Sequence, residues 1–210
     1  MTLRDQVCWA NRQLPTQGLV TMHSGNVSAI DREQKTVWIK PSGIDYDSLK
    51  PTNIVEVDFA TGQSTGLKPS VDLGHHLFLY RNVPEINAVV HTHSNYATAF
   101  AALGLAIPCC LTAIADEFGG PIPCAPYADN EDDALGQSIL AARTSAPAIL
   151  LQNHGVMAWG PTVAAALKAA VMVEDVAKTV WLAMQLGNPL ALPADEIAKW
   201  NDRYQNRYGQ

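Results

Sequence analysis

The order of the predicted strands and helices is the feature that most constrains the fold of this chain. The two kinds of segment are interspersed along the sequence, without the regular strand–helix–strand repeat of a doubly wound parallel sheet. We therefore expect an α/β protein with a three-layer, α+β-like arrangement, in which helices flank a mostly antiparallel central sheet. Strands are predicted within residues 25–43, 53–65, 86–93, 148–154 and 155–160.

Helices are predicted where apolar residues recur at three- and four-residue steps between capping signals. Thr2 is placed to cap a first helix that stops near Gly18, and Ser70 is placed to cap a later one. The clearest helix begins at Thr162 and ends before Gly187, which a proline soon follows.

Composition narrows the class of protein. The 210-residue chain is 48% hydrophobic and 16% charged, and it has no repeat or low-complexity linker, so one globular domain over residues 1–210 is expected. A net charge of −6 without a cluster of basic residues argues against nucleic acid or a membrane as a partner. The cysteines lack C-x-x-C spacing, and neither a signal peptide nor a membrane-spanning run is evident. We therefore expect a cytoplasmic protein with reduced thiols.

Two histidines share one face of a predicted strand. Because side chains alternate along a strand, His91 and His93 point to the same side, with Thr92 between them on the other. Two imidazoles are thereby brought within reach of one small ligand. The alternative is an ordinary polar strand end, because so short a motif also occurs by chance. The remaining histidines are interpreted as helix-surface, supporting or loop residues: His23, His75 and His76.

His154 and Asp72 are candidates to complete a metal site. His154 ends a predicted strand and is followed by Gly155, which allows a tight turn, while Asp72 lies in the first turn of a predicted helix. Imidazole and carboxylate ligands suit Zn²⁺, or a neighbouring ion such as Mn²⁺ or Co²⁺. A purely structural zinc site would use the same four ligands, but a chain with this much core does not need one.

Seven segments of the sequence occur in an informative combination: SGNVS, KPSG, KPSVD, VVHTHSNYATAFA, TAIADEFGGPIPC, NHGVMAWG and the terminal RYQNRYGQ. Together they resemble the class II aldolase/adducin-like family over nearly the whole chain, and within it most closely the L-ribulose-5-phosphate 4-epimerases. The resemblance implies a metal-dependent isomerase that inverts C4 of L-ribulose 5-phosphate, giving D-xylulose 5-phosphate, through retro-aldol and aldol steps.

The resemblance also implies a set of site residues. A divalent metal, usually zinc, would be held by Asp72, His91, His93 and His154. The enzyme would be a homotetramer with active sites between neighbouring subunits, in which Asp116 and Tyr208 do acid–base work and Thr112 lines the site. The phosphate of a small sugar substrate would be held by Asn26, Lys40, Ser42, Gly43 and Ser70.

Two departures from the family pattern bear on the substrate. Val71 stands where many relatives carry the second serine of P-S-S, so one hydroxyl donor to a phosphate is missing. The tail is shorter, and it places Trp200 and Asn201 near where some epimerases have a histidine. Unphosphorylated sugars therefore stay candidates beside the phosphorylated ones.

Two other functions are compatible with the same resemblance. The near alternative is a class II aldolase that cleaves a deoxy-ketose phosphate of the fuculose or rhamnulose type. Such aldolases typically place a glutamate base where this chain has Asp72, and the shorter carboxylate favours holding the metal. A non-catalytic, adducin-like head that binds proteins is the alternative from another class, and the three histidines argue against it.

Overall fold

A seven-stranded sheet organises the computed structural model, which describes residues 1–207. The strands lie in the order β3-β2-β1-β4-β7-β6-β5, and every neighbouring pair is antiparallel except β5 and β6. The prediction of a mostly antiparallel sheet is confirmed. The strands are β1 (Gly25–Asp31), β2 (Thr36–Ile39), β3 (Val55–Asp58), β4 (Ala88–Thr92), β5 (Cys124–Ala125), β6 (Ala148–Leu151) and β7 (Gly155–Gly160).

Helices cover both faces of this sheet and make the three layers that were predicted. None of those within residues 1–207 is both long and apolar enough to cross a membrane. A short 3₁₀ helix at Pro51–Asn53 precedes β3. The α-helices in the described part of the chain are α1 (Leu3–Thr16), α2 (Leu73–Asn82), α3 (Asn95–Ala102), α4 (Thr112–Phe118), α5 (Ala134–Ala142), α6 (Val163–Leu186) and α7 (Ala194–Arg207).

Neighbouring residues of the central strand β4 point into different halves of the core. Val90 belongs to the apolar cluster that contains Val173 of α6, whereas Val89 belongs to the cluster that contains Leu79 of α2. By the same alternation, His91 lies on the α2 side of the sheet. Strand β4 is hydrogen-bonded to β1 on one side and to β7 on the other, so its residues have little freedom to shift.

Capping residues set the ends of the long helices as predicted. The Thr2 hydroxyl accepts the backbone N–H of Asp5 at 3.1 Å, and the Asp5 carboxylate accepts the backbone N–H of Thr2 at 2.9 Å. The Thr162 hydroxyl accepts the N–H of Ala165 at 3.2 Å, and α6 ends where Gly187 follows. Both predicted caps are confirmed.

The predicted cap of α2 is wrong. This helix begins at Leu73, after Asp72 rather than after Ser70. The Ser70 hydroxyl instead accepts from the side-chain amide of Asn26 at 3.0 Å and lies 3.3 Å from the Asp72 carboxylate. Ser70 is therefore part of a polar network that links β1 to the start of α2.

Some elements carry too weak a pattern to be predicted from the sequence. The expected hairpin-like pair within residues 53–65 is reduced to β3 and an isolated bridge between Val57 and Ser64. The periodicity also gave no prediction for α4, α5 and α7. Helix α7 has no fully buried residue, and its apolar residues Ile197 and Trp200 are only partly buried where they pack against the core.

Candidate active site

Three imidazoles meet at one end of the sheet and form a three-histidine cluster of His91, His93 and His154. The ring centroids of His91 lie 4.8 Å from those of both partners, and the other two rings are 5.1 Å apart. One ring nitrogen from each residue lies within 4.8 Å of the others. The antiparallel pairing of β4 with β7 sets Thr92 opposite Val156, which brings His93 and His154 together just beyond the paired residues.

Gly155 makes this close approach of two strands possible. A Cβ at this position would lie 2.5 Å from the carbonyl oxygen of Thr92 and 2.9 Å from Cδ2 of His93. Atoms at such distances overlap, so any side chain would displace the strand or the imidazole. The glycine of the N-H-G segment is therefore required by packing at the cluster.

Burial keeps these imidazoles in the neutral form that binds metal ions. It lowers the pKa of His91 to about 4, and it also lowers the pKa of His93 and of His154. The Nδ1–H of His91 donates to the carbonyl oxygen of Val156 at 2.9 Å, which leaves the lone pair on Nε2. That Nε2 atom lies 2.9 Å from Nε2 of His93.

The donor set of the cluster fits a divalent cation. A set of three imidazole nitrogens is common among the ligands of catalytic zinc. The buried Nδ1 atom of His154 has no hydrogen-bond partner within residues 1–207, so a nitrogen of this residue is left for a ligand. The three histidines could therefore hold a metal ion.

Asp72 lies beside the cluster and lines the same pocket. Among the described residues, its carboxylate is not one of the atoms that gather within 4.8 Å of one another. One carboxylate oxygen accepts from the amide of Asn26 at 2.6 Å and lies 3.3 Å from the Ser70 hydroxyl. Burial acts to raise the pKa of Asp72, but His91, His76 and the Asn26 bond outweigh it and hold that pKa below its usual value. Its role as a fourth ligand stays a prediction.

His76 lies in the interior next to the site and is not a surface residue. It is fully buried, and its Nδ1 atom lies 2.6 Å from the Ser28 hydroxyl, which lies equally close to the Tyr80 hydroxyl. Burial lowers the pKa of His76 to about 3. Its neighbour His75 is also buried. Of the two interpretations offered for His75 and His76, the supporting role fits their burial better than a place on the helix surface.

A pocket of about 390 Å³ extends from the three-histidine cluster to the residues expected to hold a phosphate. Lys40 is only 2% exposed, and its ammonium group donates to the carbonyl of Pro41 at 3.2 Å and lies 4.8 Å from the ring centroid of Tyr46. Burial lowers the pKa of Lys40. Asn26 lies behind the pocket wall, where it donates to Ser70 and Asp72. The predicted phosphate residues that line the pocket are Lys40, Ser42, Gly43 and Ser70.

The pocket also has lining residues that were not among the predicted site residues. His23 precedes the S-G-N turn, and Asn130 lies in the loop between β5 and α5. Val71, which replaces a serine of the family pattern, lines the pocket and is 79% exposed. A single histidine or asparagine in a loop carries no periodic signal, although the position of His23 next to S-G-N was a usable indication.

Of the predicted acid–base residues, Asp116 does not line this pocket within one chain. Asp116 of α4 borders a separate pocket of about 130 Å³, and Thr112 is the first residue of the same helix. Burial raises the pKa of Asp116, although the cation of Arg203 acts against this. Tyr208 lies outside the described residues. The smaller pocket is lined by Asp116 and by three residues of α7, namely Trp200, Arg203 and Tyr204.

Helix α7 is fastened to α4 around Asp116. The side-chain amide of Asn201 donates to the carbonyl oxygen of Asp116 at 3.0 Å. The next residue, Glu117, is 5% exposed and forms an ion pair of 2.8 Å with Lys168 of α6. Burial raises the pKa of Glu117, against hydrogen bonds from Lys168 and Tyr204. Asn201, one of the departures from the family pattern, thus has a structural role here.

Comparison with known families agrees with this geometry. The sequence profile described as Class II Aldolase and Adducin N-terminal domain matches residues 5–181. The chain belongs to the class II aldolase and adducin family. This confirms the resemblance drawn from the seven segments and the expected fold.

Relatives in the class II aldolase and adducin family include both epimerases and aldolases. L-ribulose-5-phosphate 4-epimerase UlaF from Salmonella paratyphi C (strain RKS4594) and UlaF from Salmonella choleraesuis (strain SC-B67) are each 40% identical over 220 residues, covering 99% of this chain and 95% of the relative. The solved structure of an L-fuculose 1-phosphate aldolase has a TM-score of 0.87 and 28% identity, with 97% of this chain and 96% of that chain covered. The family profile ends before α7, whereas the similarity to the epimerases extends over the tail.

Proposed function

We propose that this chain is an epimerase that inverts C4 of L-ribulose 5-phosphate to give D-xylulose 5-phosphate. One observation carries the proposal. A single pocket joins the three-histidine cluster to a buried lysine and two serine hydroxyls, in a chain similar over 99% of its length to two L-ribulose-5-phosphate 4-epimerases. A sugar with a ketone near one end and a phosphate at the other matches the two ends of this pocket.

Simple deprotonation cannot invert C4, because C4 is not adjacent to the ketone and its C–H is not acidic. Breaking and re-forming the C3–C4 bond provides a route. The C4 hydroxyl loses its proton, and the electrons of the C3–C4 bond pass to the C2 carbonyl. An enediolate and glycolaldehyde phosphate result. The aldehyde then turns its other face to the enediolate, the bond forms again, and the C4 oxygen regains a proton.

We propose that Asp72 joins the three-histidine cluster in holding Zn²⁺, with Mn²⁺ or Co²⁺ as alternatives. A cation bound there would supply Lewis-acid stabilisation of the negative charge that develops on the ketose oxygens. The chain keeps its imidazoles neutral by burial, and Asn26 holds the carboxylate of Asp72 in place through a 2.6 Å hydrogen bond. Both features prepare the donors before an ion binds.

The phosphate end of the pocket would hold the fragment that turns. The ammonium group of Lys40, the hydroxyls of Ser42 and Ser70 and the backbone at Gly43 would bind the phosphate by charge-assisted hydrogen bonds. Glycolaldehyde phosphate anchored in this way stays beside the enediolate while its aldehyde group rotates.

Proton transfer is assigned to residues from a neighbouring subunit. Asp116 and Tyr208 would act on the C4 oxygen from opposite faces, with Thr112 lining the same site. The positions of Asp116 and Thr112 on α4, away from the pocket of the same chain, support a site completed between subunits. We therefore propose a homotetramer of single-domain chains, residues 1–210, in which each C-terminal tail contributes to a neighbouring site.

Exposed apolar residues support the proposed oligomer, and free cysteines support the proposed location in the cytoplasm. Helix α6 and the segment after it expose large apolar side chains, which a contact with other subunits would cover. The four cysteines are free thiols, which fits the reducing cytoplasm. The exposed apolar residues are Trp181, Leu182, Met184, Leu186 and Leu190.

The second candidate is a class II aldolase that cleaves a deoxy-ketose phosphate, and the TM-score of 0.87 to an L-fuculose 1-phosphate aldolase favours it. A product assay separates the two. The epimerase should convert L-ribulose 5-phosphate to D-xylulose 5-phosphate without accumulating free fragments. Rapid release of dihydroxyacetone phosphate from fuculose or rhamnulose 1-phosphate, with no xylulose phosphate formed, would establish the aldolase instead.

A further inference from the structure

His23 lies at the rim of the pocket and has no role in the mechanism above. It lines the pocket together with Lys40 and Val71. Its side chain is 41% exposed, and its Nε2 atom lies 3.5 Å from the carboxylate of Asp45. We propose that His23 contacts the substrate phosphate and replaces the hydroxyl donor that is missing at Val71. This inference rests on the proposed function, because it concerns the phosphate end of the same pocket.

The charge of a phosphate monoester is the first argument. Such a group carries about two negative charges at neutral pH. Apart from the three-histidine cluster, Lys40 and His23 are the lining residues of the described chain that can carry positive charge. Lys40 is buried at 2% exposure, and burial lowers its pKa, so this one cation is in a poor position to balance a dianion alone. An imidazole at the rim supplies a second charge-assisted donor.

The rigidity of the turn that holds His23 is the second argument. The backbone N–H of Thr21 donates to the Ser24 hydroxyl at 3.1 Å, which closes the turn around His23. The Tyr46 hydroxyl donates to the carbonyl of Gly25 at 2.6 Å and so joins this turn to the loop that follows Lys40. The backbone of the turn is therefore held beside the pocket, with the imidazole at its rim.

The third argument concerns Gly25, which brings the turn against the central strand. Its φ is +125°, and a Cβ there would lie 2.7 Å from the carbonyl oxygen of His91. The turn with His23 thus packs directly on the strand that carries a member of the three-histidine cluster. A ligand that reaches from the cluster to Lys40 passes this rim.

Asp45 explains why a histidine at the rim retains its position when no ligand is bound. The carboxylate lies 3.5 Å from Nε2 and orients that edge of the ring towards the loop that follows Lys40. Asp45 itself is largely exposed, so the pair is screened by water and easily exchanged for a phosphate.

The test compares His23→Gln with the wild-type enzyme, and Met22→Leu serves as a control in the same turn. Glutamine keeps a hydrogen-bond donor but cannot carry a positive charge, while Met22 is exposed and does not line the pocket. We expect His23→Gln to raise KM for L-ribulose 5-phosphate about tenfold, with kcat changed less than about twofold. The dissociation constant for inorganic phosphate, measured by calorimetry, should rise by a similar factor, and bound metal should stay unchanged.

Two further measurements make the proposal specific. Any turnover of unphosphorylated L-ribulose should be equal in His23→Gln and wild type, and Val71→Ser in the His23→Gln background should recover part of the lost phosphate affinity. Equal losses on the phosphorylated and unphosphorylated sugars, or an unchanged phosphate affinity in His23→Gln, would overturn the role of His23. A wild-type enzyme that forms no D-xylulose 5-phosphate would instead overturn the proposed function, while the calorimetry would still report on His23.

Discussion

The Nδ1–H of His91 donates to the carbonyl oxygen of Val156 across the β4–β7 pair, at 2.9 Å. The partner is a backbone atom of the neighbouring strand, so the orientation of the ring depends on the register of the sheet and not on another side chain. The same bond leaves Nε2 as the acceptor nitrogen, which faces His93. Strand packing and the geometry of the three-histidine cluster are thus linked directly.

Replacing Gly155 by alanine should damage the cluster, although none of its three histidines is substituted. The added Cβ would overlap the carbonyl oxygen of Thr92 and Cδ2 of His93, so the strands or the imidazole must move. We expect Gly155→Ala to lower the free energy of unfolding by about 3 kcal/mol and to reduce bound metal. Denaturant titration and metal analysis measure both effects.

Gly74→Ala is the matched control for this change. A Cβ at Gly74 meets no atom within 4 Å, and the residue lies inside helix α2. Alanine should therefore keep the metal content of the wild type and increase stability by about 0.5 kcal/mol or more. Equal metal contents in the two alanine variants would show that close packing at Gly155 is not needed for the cluster.

Removal of metal should abolish turnover while the chain stays folded. The apolar core on both faces of the sheet does not depend on an ion, so chelation should leave the circular dichroism spectrum unchanged. Turnover should return on addition of Zn²⁺, Mn²⁺ or Co²⁺, and the extent of recovery would rank the ions. A chain that never contains metal, yet binds a protein partner equally well with and without chelator, would point to the adducin-like alternative.

Tyr208→Phe should reduce kcat about a hundredfold or more, because it removes a proton donor and keeps the ring. The substitution lies outside the described residues, and the prediction comes from the resemblance to the epimerases. Metal content and KM should change little. A variant with the turnover of the wild type would remove the tail tyrosine from the mechanism and leave Asp116 as the acid–base group to test.

Lys168→Met should produce a pH-dependent loss of stability. The variant leaves the buried carboxylate of Glu117 without its cation. Because the Lys168 side chain is 46% exposed, solvent screens the pair and the cost should be about 1.5 kcal/mol at pH 8. Burial already raises the pKa of Glu117 above that of an unfolded glutamate, and loss of the lysine raises it further. The protonated carboxyl needs no cation, so the deficit should shrink as the pH falls towards 5.

The double variant Glu117→Gln/Lys168→Met isolates this effect. It has neither charge, so its stability should lie close to that of the wild type and change little between pH 5 and pH 8. Urea unfolding of the wild type, the single variant and the double variant at both pH values makes the comparison. A single-variant deficit that is the same at both pH values would show that lost packing, rather than the charge of Glu117, is responsible.

The sequence was most informative where strand periodicity and chemistry coincide. The alternation of His91 and His93 predicts that their side chains share one face of the strand, and the structure places their Nε2 atoms 2.9 Å apart. His154 joins the other two histidines only because β7 pairs with β4, and the local sequence pattern does not specify which strands pair. In the same way, the residues around Ser70 predict a helix cap. In the structure its hydroxyl instead accepts a hydrogen bond from Asn26, 44 residues away.

The acid–base residues show a second limit of the sequence. Asp116 was assigned through resemblance, and the structure of one chain places it in a different pocket from the three-histidine cluster. The separation of Asp116 and His154 along one chain does not indicate whether Asp116 would approach the His154 of a second subunit. His23 was interpreted as a loop residue, because the loops that bring it to the pocket are held by contacts between distant residues such as Tyr46 and Gly25.

The central place of β4 in the sheet separates two traits of this protein that evolution could change at different rates. The positions of its histidines are fixed because β4 is hydrogen-bonded to a strand on each side. A change of cation preference would therefore demand changes throughout the interior. The residues at the mouth of the pocket, by contrast, stand on turns that tolerate exchange. A lineage could therefore acquire new sugars through the turns while inheriting the same ion-binding apparatus intact.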